Sequence, residues 1–488
     1  MPTHNQILTL ARAGNPVRAW ALFCDGGLDK LATDIKALTL KGRLLKDLAG
    51  RADRGERVRL LTEAAEAYFA AHALKTDTYP LINAATLALL AGDPQRAATL
   101  AREVLDLIEA DPDEGETVYW REATRSEALL LLGHMGEAEA ALADGITKLP
   151  HAWEDHAATI GQFERIIAVQ GWDAAWLDTY RPAASVHFSG LIGLDPADPA
   201  LHGRIAAFVA NLRPGFAFGA LAAGADILLA EALLEAGAEL HVTLPVARDE
   251  FRAISVEPSG GDWAARYDLL LEQAETVHEL WSGSGADRAE FASLIESASL
   301  VSMGQAMRHA GVLRSKTVAV TMAAPDEQIR PHVEAWEHSG LPLHTIKAAR
   351  SPTSQNSTSR HASSAPNGLL LLAGDAEGGF GQAHGLIQTN INGETHFTGQ
   401  WRGCVAAVHA LRDAHKETAM ALVVDNQANG ADRARLLAQA AGSAHFAADF
   451  AAAMIAKVLM PETRVEEVGE VASPAGPMPI YAIAPEEA

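Results

Sequence analysis

The segment with the clearest capacity for chemistry runs from residue 216 to residue 245. An apolar stretch there leads into a loop of alanine and glycine and then into an apolar helical pattern. The loop, residues 221–224 (LAAG), carries no functional side chain, so it can offer a ligand only backbone groups. Small residues let a ligand approach the backbone, and the N-terminus of the following helix presents free N–H groups and a positive partial charge. This order of elements predicts a cradle for a phosphate group.

Two more strand ends accompany this loop, because a Ser-Gly pair closes one apolar run and a proline closes another. The carboxyl ends of parallel strands meet at one crevice, so we expect these ends to lie together. The predicted ligand-binding residues are Ser189, Gly190, Gly219, Ala220, Gly224, Ala225, Asp226 and Pro245. The alternative is that the small residues only allow close packing and that Asp226 only stabilises a helix N-terminus. The segment has neither G-x-G-x-x-G nor G-x-x-x-x-G-K-S/T, so the sequence names no ligand.

The elements that must position these residues alternate between strand and helix from residue 183 to residue 348. Such alternation predicts a Rossmann-like parallel sheet with helices on both faces. The predicted strands are residues 185–188, 216–221, 240–244, 316–322 and 343–346. The predicted helices are residues 201–212, 225–236, 262–280, 286–309 and 328–338.

The rest of the chain differs in character on each side of this region. Residues 1–182 read as helix after helix, residues 349–367 are a linker rich in Ser, Thr, Asn and Pro, and residues 368–488 mix strands and helices. We therefore predict an α plus α/β multidomain protein: an N-terminal helical repeat array, a central Rossmann-like domain and a small C-terminal α/β domain. In the array we expect helices to end at Gly92 and at Gly136.

The helical region resembles tetratricopeptide repeats, because helix pairs close on glycine and continue into alanine-rich helices. Tyr79-Pro80-Leu81-Ile82-Asn83-Ala84-Ala85-Thr86 resembles, more specifically, a TRAF-binding-like helical module found in signalling proteins. The resemblance implies a protein partner, with Tyr79 and Asn83 on the binding surface. A structural alternative is that Pro80 starts a helix and that Asn83 is hydrogen-bonded within it.

The central region resembles the SLOG superfamily of Rossmann-like domains, which bind nucleotides and nucleotide-derived ligands. The residues that carry the resemblance are VHFSG, the 219–245 segment, FRAISV, and the Trp263 and Arg266 that follow. The resemblance places the ligand loop on the residues named above and implies that Glu231 is a catalytic or ribose-binding acid. Glu235, one turn later, allows the alternative of a solvated polar stripe. The Pro-Gly-Gly-x-Gly-Thr loop of the phosphoribohydrolase branch is missing, which favours ligand sensing over hydrolysis.

The C-terminal region resembles a class III nucleotide cyclase homology domain in short pieces, including residues 370–375, 396–399 and 479–483. A cyclase needs two carboxylates that hold metal ions. Only Asp375 is well placed, with Asp425 as a weak second, and Asp375 and Glu377 also suit glycine-rich turns. We expect a degenerate domain without activity.

Composition narrows the remaining function classes. The 488 residues carry 62 acidic and 39 basic side chains, a net charge of -23, which disfavours nucleic acids and anionic membranes as partners. Cys24 and Cys404 form no metal or disulfide pattern, and no apolar run of about 18 residues indicates a membrane span. We expect a cytoplasmic protein with no metal and no resident cofactor.

The sequence thus predicts a cytoplasmic signalling adaptor that senses a nucleotide-derived ligand and binds a protein partner through its repeats. One alternative is a nucleotide-processing hydrolase that uses Glu231. Another is a purely structural interaction scaffold. A homo-oligomer is compatible with all three.

Overall fold

A computed structural model of the chain describes residues 4–485 apart from 13–15, 112–116, 282–287, 326–328, 352–366, 377, 392, 415–417, 425–429, 442–445 and 475. Most of the predicted linker, as well as Glu377 and Asp425, therefore lies outside the described residues. The chain forms two compact units, Met1–Pro182 with Val312–Arg314, and Ala183–Gly311 with Ser315–Glu486.

The first unit is helical throughout its described length. Its α-helices are α1 (His4–Arg12), α2 (Pro16–Asp25), α3 (Ile35–Ala49), α4 (Arg54–Leu74), α5 (Thr78–Leu90), α6 (Pro94–Ala110), α7 (Val118–Leu131), α8 (Met135–Lys148) and α9 (Trp153–Gln170). Short polar side chains begin several of them; for example, Asp34 accepts a hydrogen bond from the Ala37 N–H at 3.0 Å. Helix α3 packs on α4, α5 on α6 and α7 on α8, so the predicted helical repeat array is confirmed.

One helix end differs from the prediction. Gly92 follows α5 with φ 92°, as expected for a residue that closes a helix in the left-handed conformation. In the next pair, however, α7 ends at Leu131 and the left-handed residue is Gly133 with φ 80°. Gly136 lies inside α8, where its backbone is helical. The acidic residue after Gly136 suggested a helix end, but it lies in the first turn of a new helix, where a carboxylate is also favourable.

The second unit contains two sheets. The first holds β1 (Ala184–Gly190), β2 (Pro214–Gly219), β3 (Glu239–Leu244), β4 (Thr276–Glu279), β5 (Thr317–Ala323) and β6 (Leu343–Lys347). All its pairings are parallel, in the order β4-β3-β2-β1-β5-β6. Its helices are α10 (Pro199–Ala210), α11 (Ala225–Glu235), α12 (Arg248–Ser255), α13 (Trp263–Gln273), α14 (Arg288–Leu313) and α15 (Pro331–His338). The predicted Rossmann-like parallel sheet is confirmed.

Two predicted elements of this sheet were wrong in detail. The predicted helix 262–280 ends at Gln273, and β4 follows it at the edge of the sheet. The predicted strand 216–221 ends two residues early, at Gly219. Strand β4 is short and half polar (TVHE), so its sequence has neither a long apolar run nor a clear alternation.

The second sheet holds β7 (Asn367–Leu372), β8 (Ile387–Ile391), β9 (Glu394–Gln400), β10 (Met420–Val424), β11 (Phe446–Ala448), β12 (Thr463–Ser473) and β13 (Gly476–Pro485). Its order is β12-β13-β11-β10-β7-β9-β8, and its pairings are antiparallel except for β10 with β11. Its helices are α16 (Phe380–Ala383), α17 (Trp401–Ala414), α18 (Gly430–Ala441) and α19 (Phe450–Leu459). The predicted C-terminal α/β region is confirmed. One buried apolar cluster runs through both sheets of the unit.

Candidate functional site

The strand order of the parallel sheet reverses between β1 and β5. From β1 the chain proceeds outward through β2, β3 and β4, whereas β5 pairs with the other edge of β1. Ligands of open parallel sheets bind at such a switch point, beyond the carboxyl ends of the strands. Ser189 and Thr321 lie there side by side, with the Ser189 hydroxyl 3.5 Å from the Thr321 hydroxyl oxygen. Ser189 and Gly190, predicted from the sequence, are thus at the centre of the candidate site.

Gly190 is required by close packing at this point. A Cβ at Gly190 would lie 2.3 Å from the Ala225 Cβ and 3.0 Å from the Met322 Cβ. Contacts of that length are far inside van der Waals distance, so the N-terminus of α11 can rest on the end of β1 only if residue 190 is glycine. The structure brings Gly190 and Ala225 together, as the sequence predicted for the crevice.

The glycine of the loop between β2 and α11 is also fixed by its surroundings. Gly224 has φ 129° and ψ -122°, and a Cβ there would lie 2.7 Å from the Leu191 carbonyl oxygen. The next N–H, that of Ala225, donates to the same Leu191 oxygen at 3.0 Å. The N–H of Ala223 donates to the Ser255 carbonyl oxygen at 3.1 Å. Two of the N–H groups that would form a phosphate cradle therefore bind the protein's own backbone.

A third loop N–H is bound by a carboxylate of the same chain. The N–H of Ala222 donates to Asp226 Oδ2 at 3.2 Å, and Gly190 provides a further backbone hydrogen bond. The Asp226 side chain is only 8% exposed. Burial raises the pKa of Asp226 to about 7, against the opposing effects of the Ala222 bond and the Arg330 charge. The loop that the sequence predicted as a phosphate cradle therefore binds the Asp226 side chain.

The remaining predicted ligand residues lie around this loop. A Cβ at Gly219 would be 2.4 Å from the Phe188 ring, so Gly219 allows β1 and β2 to pack. Ala220 is half-buried, and Pro245 is buried directly after β3.

The predicted acid Glu231 lies on α11 and is paired. Arg266 of α13 donates from Nε to Glu231 Oε1 at 2.8 Å and from Nη2 to Oε2. The same guanidinium lies over the Trp263 ring, 4.5 Å from its centroid. Of the Trp263 and Arg266 that carried the family resemblance, Arg266 binds Glu231 and Trp263 packs on Arg266; the Glu231 side chain is 36% exposed. Both of its oxygens are engaged.

A buried acid–base cluster, which the sequence did not reveal, lies beside the switch point. The Glu296 carboxylate of α14 accepts from His332 Nδ1 at 2.8 Å and from the His332 backbone N–H at 3.1 Å. Arg330 donates to the Gly190 carbonyl oxygen at 3.0 Å. Burial raises the pKa of Glu296, but His332 and Arg330 outweigh it and leave that pKa below its usual value. No short motif links these residues, because α14 and the loop after β5 meet only in the folded chain.

Three histidines lie where α14 packs on the parallel sheet. We call His187 of β1, His241 of β3 and His309 of α14 the histidine layer. Within it, His187 Nδ1 lies 3.1 Å from the Ser302 hydroxyl and His309 Nδ1 lies 3.0 Å from the Ser185 hydroxyl. His241 stacks on Phe218 with 4.6 Å between ring centroids. Burial lowers the pKa of His187 to about 3 and those of His241 and His309 to about 4. These rings are held neutral at pH 7.

The described residues of the second sheet provide little support for a catalytic site. Asp375 is exposed in the turn after β7. Across the part of the chain that the structure describes, no three histidine, cysteine or acidic side chains are grouped as metal ligands. A shallow cavity of about 430 Å³ lies between α16 and β8. It is lined by Gly378, Gly379, Gln382, Leu386, Gln388 and Asn390.

In the helical array, the predicted partner residues are accessible to different degrees. Tyr79 is 45% exposed, and the Asn83 amide donates to the Tyr79 carbonyl oxygen at 2.9 Å. That bond agrees with the structural alternative for Asn83. Nearby, Glu127 of α7 accepts from the Thr86 hydroxyl of α5 and from the Gln162 amide of α9, which ties three helices together.

Comparison with known proteins finds a family model that matches the N-terminal segment. Residues 3–88 match the family model Tetratricopeptide Repeats-Sensor. The match covers α1 to α4 and most of α5, including Tyr79 and Asn83, and it supports the predicted tetratricopeptide character of this segment.

Other comparisons are weaker. No curated protein matches the chain. Among solved structures, the chain is similar to a mutant O-GlcNAc transferase from Thermobaculum terrenum. The two share 12% sequence identity, and the match covers 64% of this chain and 57% of that chain. The TM-score is 0.19, which is too low to support an argument about fold or function. No helix in the described residues is both long and apolar enough to cross a membrane.

Proposed function

We propose that this protein is a cytoplasmic signalling adaptor. Its helical repeats would bind a protein partner, and its parallel sheet would sense a nucleotide-derived ligand at the β1/β5 switch point. The repeats support the first part, since stacked helix pairs create extended binding surfaces. The family model that matches residues 3–88 is named Tetratricopeptide Repeats-Sensor, which supports a sensing role.

The observation that carries the sensing proposal is the meeting of Ser189, Thr321 and Arg330 where the strand order reverses. Two hydroxyls and a guanidinium at a switch point suit the polar and anionic groups of a nucleotide. The side chain of Asp226 restricts which ligand group can face it, because an anionic group placed beside it would be repelled by its carboxylate. A ligand that carries a hydroxyl or an amide toward Asp226 suits this crevice better than one that directs a phosphate there.

The test is ligand binding to the full chain. Thermal shift and calorimetry would screen nucleoside mono- and diphosphates and ADP-ribose, and Ser189→Ala and Arg330→Gln should each weaken any binding that the wild type shows. Ser299→Ala is a matched control, because its hydroxyl bonds to Ile295 within its own helix. Absence of binding, or binding that both crevice variants leave unchanged, would contradict the sensing proposal.

The hydrolase alternative depends on Glu231. Arg266 donates to both of its carboxylate oxygens, so contact of Glu231 with a substrate would require that pair to open. The scaffold alternative is supported by the loop N–H groups, which already donate to acceptors of the protein itself. The scaffold alternative predicts that Ser189→Ala changes no nucleotide affinity, whereas the hydrolase alternative predicts turnover that Glu231→Gln abolishes.

For the C-terminal region we propose a cyclase homology domain without activity. Its strands β7 to β10 with α16 and α17 follow a β-α-β-β-α-β course and lie in the order β10-β7-β9-β8. This is the arrangement of a split β-α-β unit. Formation of cyclic nucleotide from ATP or GTP with Mn²⁺, lost in Asp375→Asn, would overturn this proposal.

A further inference from the structure

Helix α14 contacts both sheets of the second unit. Toward the parallel sheet, its Ser302 hydroxyl lies 3.1 Å from His187 and its Gln305 amide oxygen accepts from the Thr243 hydroxyl at 2.6 Å. Toward the second sheet, Gly304 meets α19 and Arg308 meets β12 and β13. The helix thus lies between the parallel sheet, which carries the candidate ligand crevice, and the C-terminal sheet, and it contacts both.

The contact of α14 with the parallel sheet is polar and incompletely satisfied. His241 Nε2, on β3, is buried and has no hydrogen-bond partner among the described residues. A buried polar atom without a partner costs free energy, and a polar interface gains less from apolar burial than a dry one. The polar contacts of α14 with the histidine layer therefore hold it less firmly than fully hydrogen-bonded contacts would.

The contact with the second sheet is close and specific. A Cβ at Gly304 would lie 2.0 Å from the Met454 carbonyl oxygen, so the backbones of α14 and α19 touch. Arg308 donates from Nε to the Val465 carbonyl oxygen at 3.0 Å and lies 5.7 Å from the centroid of the Tyr481 ring. The helix therefore packs against α19 and the β12–β13 hairpin through backbone contact, a hydrogen bond and a cation–π contact.

We propose that α14 moves with the second sheet as one body over the histidine layer, and that Glu296 conveys the state of the β1/β5 crevice to that body. Glu296 lies near the N-terminal end of α14 and binds His332 at the start of α15, beside Arg330. A change at the crevice therefore acts on α14 through Glu296. Through this coupling, ligand binding at the crevice would change the C-terminal sheet. That role rests on the proposed function.

The experiment is hydrogen–deuterium exchange of the full chain, without any ligand. Glu296→Gln should change exchange in α14 and also in residues 450–473, by roughly 2- to 30-fold, the range of such mutational coupling. In the Arg308→Gln background, the effect of Glu296→Gln on residues 450–473 should be smaller, because of the contacts named above only that of Gly304 with α19 remains. Glu334→Gln is the matched control, since Glu334 is exposed on α15.

Two results would overturn the coupling: an effect of Glu296→Gln that never reaches residues 450–473, or one that reaches them equally with and without Arg308. If Glu296→Gln does not fold, Ser302→Ala replaces it, because it removes one bond between α14 and β1 and leaves Glu296 in place. No nucleotide enters this experiment. Failure of the coupling therefore leaves the binding test of the sensing proposal intact, and failure of binding leaves the coupling intact.

Discussion

Asp226 Oδ2 lies 3.2 Å from the backbone nitrogen of Ala222, in the loop between β2 and α11. The carboxylate occupies the position at the helix N-terminus where a small-residue loop would otherwise receive an anion. Its burial, together with the raised pKa, makes Asp226 a proton-binding group of the folded state near neutral pH.

The pH dependence of Asp226 follows from the direction of that shift. The folded state holds the proton up to about pH 7, whereas the ordinary pKa is 3.8. Its stabilising contribution is therefore full below about pH 4 and is lost as the pH rises through 7. Asp226→Asn should be most destabilising relative to wild type near pH 4 to 5 and least so near pH 8. Thermal midpoints of both proteins across this range would check it, and a constant difference would contradict it.

The histidine layer has the opposite dependence. Burial lowers the pKa values of His187, His241 and His309 from 6.5 to about 3, 4 and 4, so the unfolded chain binds more protons between pH 4 and 6.5. Stability should therefore fall as the pH drops through this window. His241→Phe keeps a ring against Phe218 and removes one titrating group, so its unfolding free energy should fall less between pH 7 and pH 5. Urea unfolding at the two pH values measures the change, and equal losses in both proteins would refute the assignment.

Gly224 should tolerate no side chain, for reasons of fold alone. Gly224→Ala introduces a Cβ 2.7 Å from the Leu191 carbonyl oxygen on a backbone with φ 129°. We expect a loss of about 1–3 kcal/mol in unfolding free energy. Gly237→Ala is the matched control, because Gly237 has φ 89° and nothing within 4 Å of a Cβ. If both variants lose the same stability, the close approach of Leu191 contributes nothing.

Glu231 and Arg266 should contribute modestly to stability. The Glu231 side chain is 36% exposed, so solvent screens the pair, and Glu231→Gln should cost about 0.5–1 kcal/mol. A double-mutant cycle with Arg266→Gln measures the coupling. If Glu231 instead serves catalysis, Glu231→Gln would abolish release of base from a nucleoside monophosphate while the melting temperature stays constant.

The sequence predicts local features of this molecule well and distant ones poorly. The glycines at 190, 219 and 224 could be recognised as places of close approach, because a strand, a small-residue loop and a helix are contiguous in the chain. The Glu296–His332 contact could not, since it joins two segments brought together only by the pairing of β5 with β1. Asp226 was found as a residue of the crevice, but its bond to Ala222 depends on how the loop folds back.

The parallel sheet also constrains the order in which the chain can fold during synthesis. The central strand β1 pairs on one side with β2, which follows soon after it, but on the other side with β5, where Val186 meets Val318. Until β5 has left the ribosome, one edge of an apolar strand has no neighbour, and unpaired edges of this kind promote aggregation. The helical array needs no such delay, because α1 to α7 each pack on the next helix and α9 packs on α5 and α7, which precede it. Nascent chains that stop before residue 317 should therefore carry a folded array and depend on chaperones for the sheet.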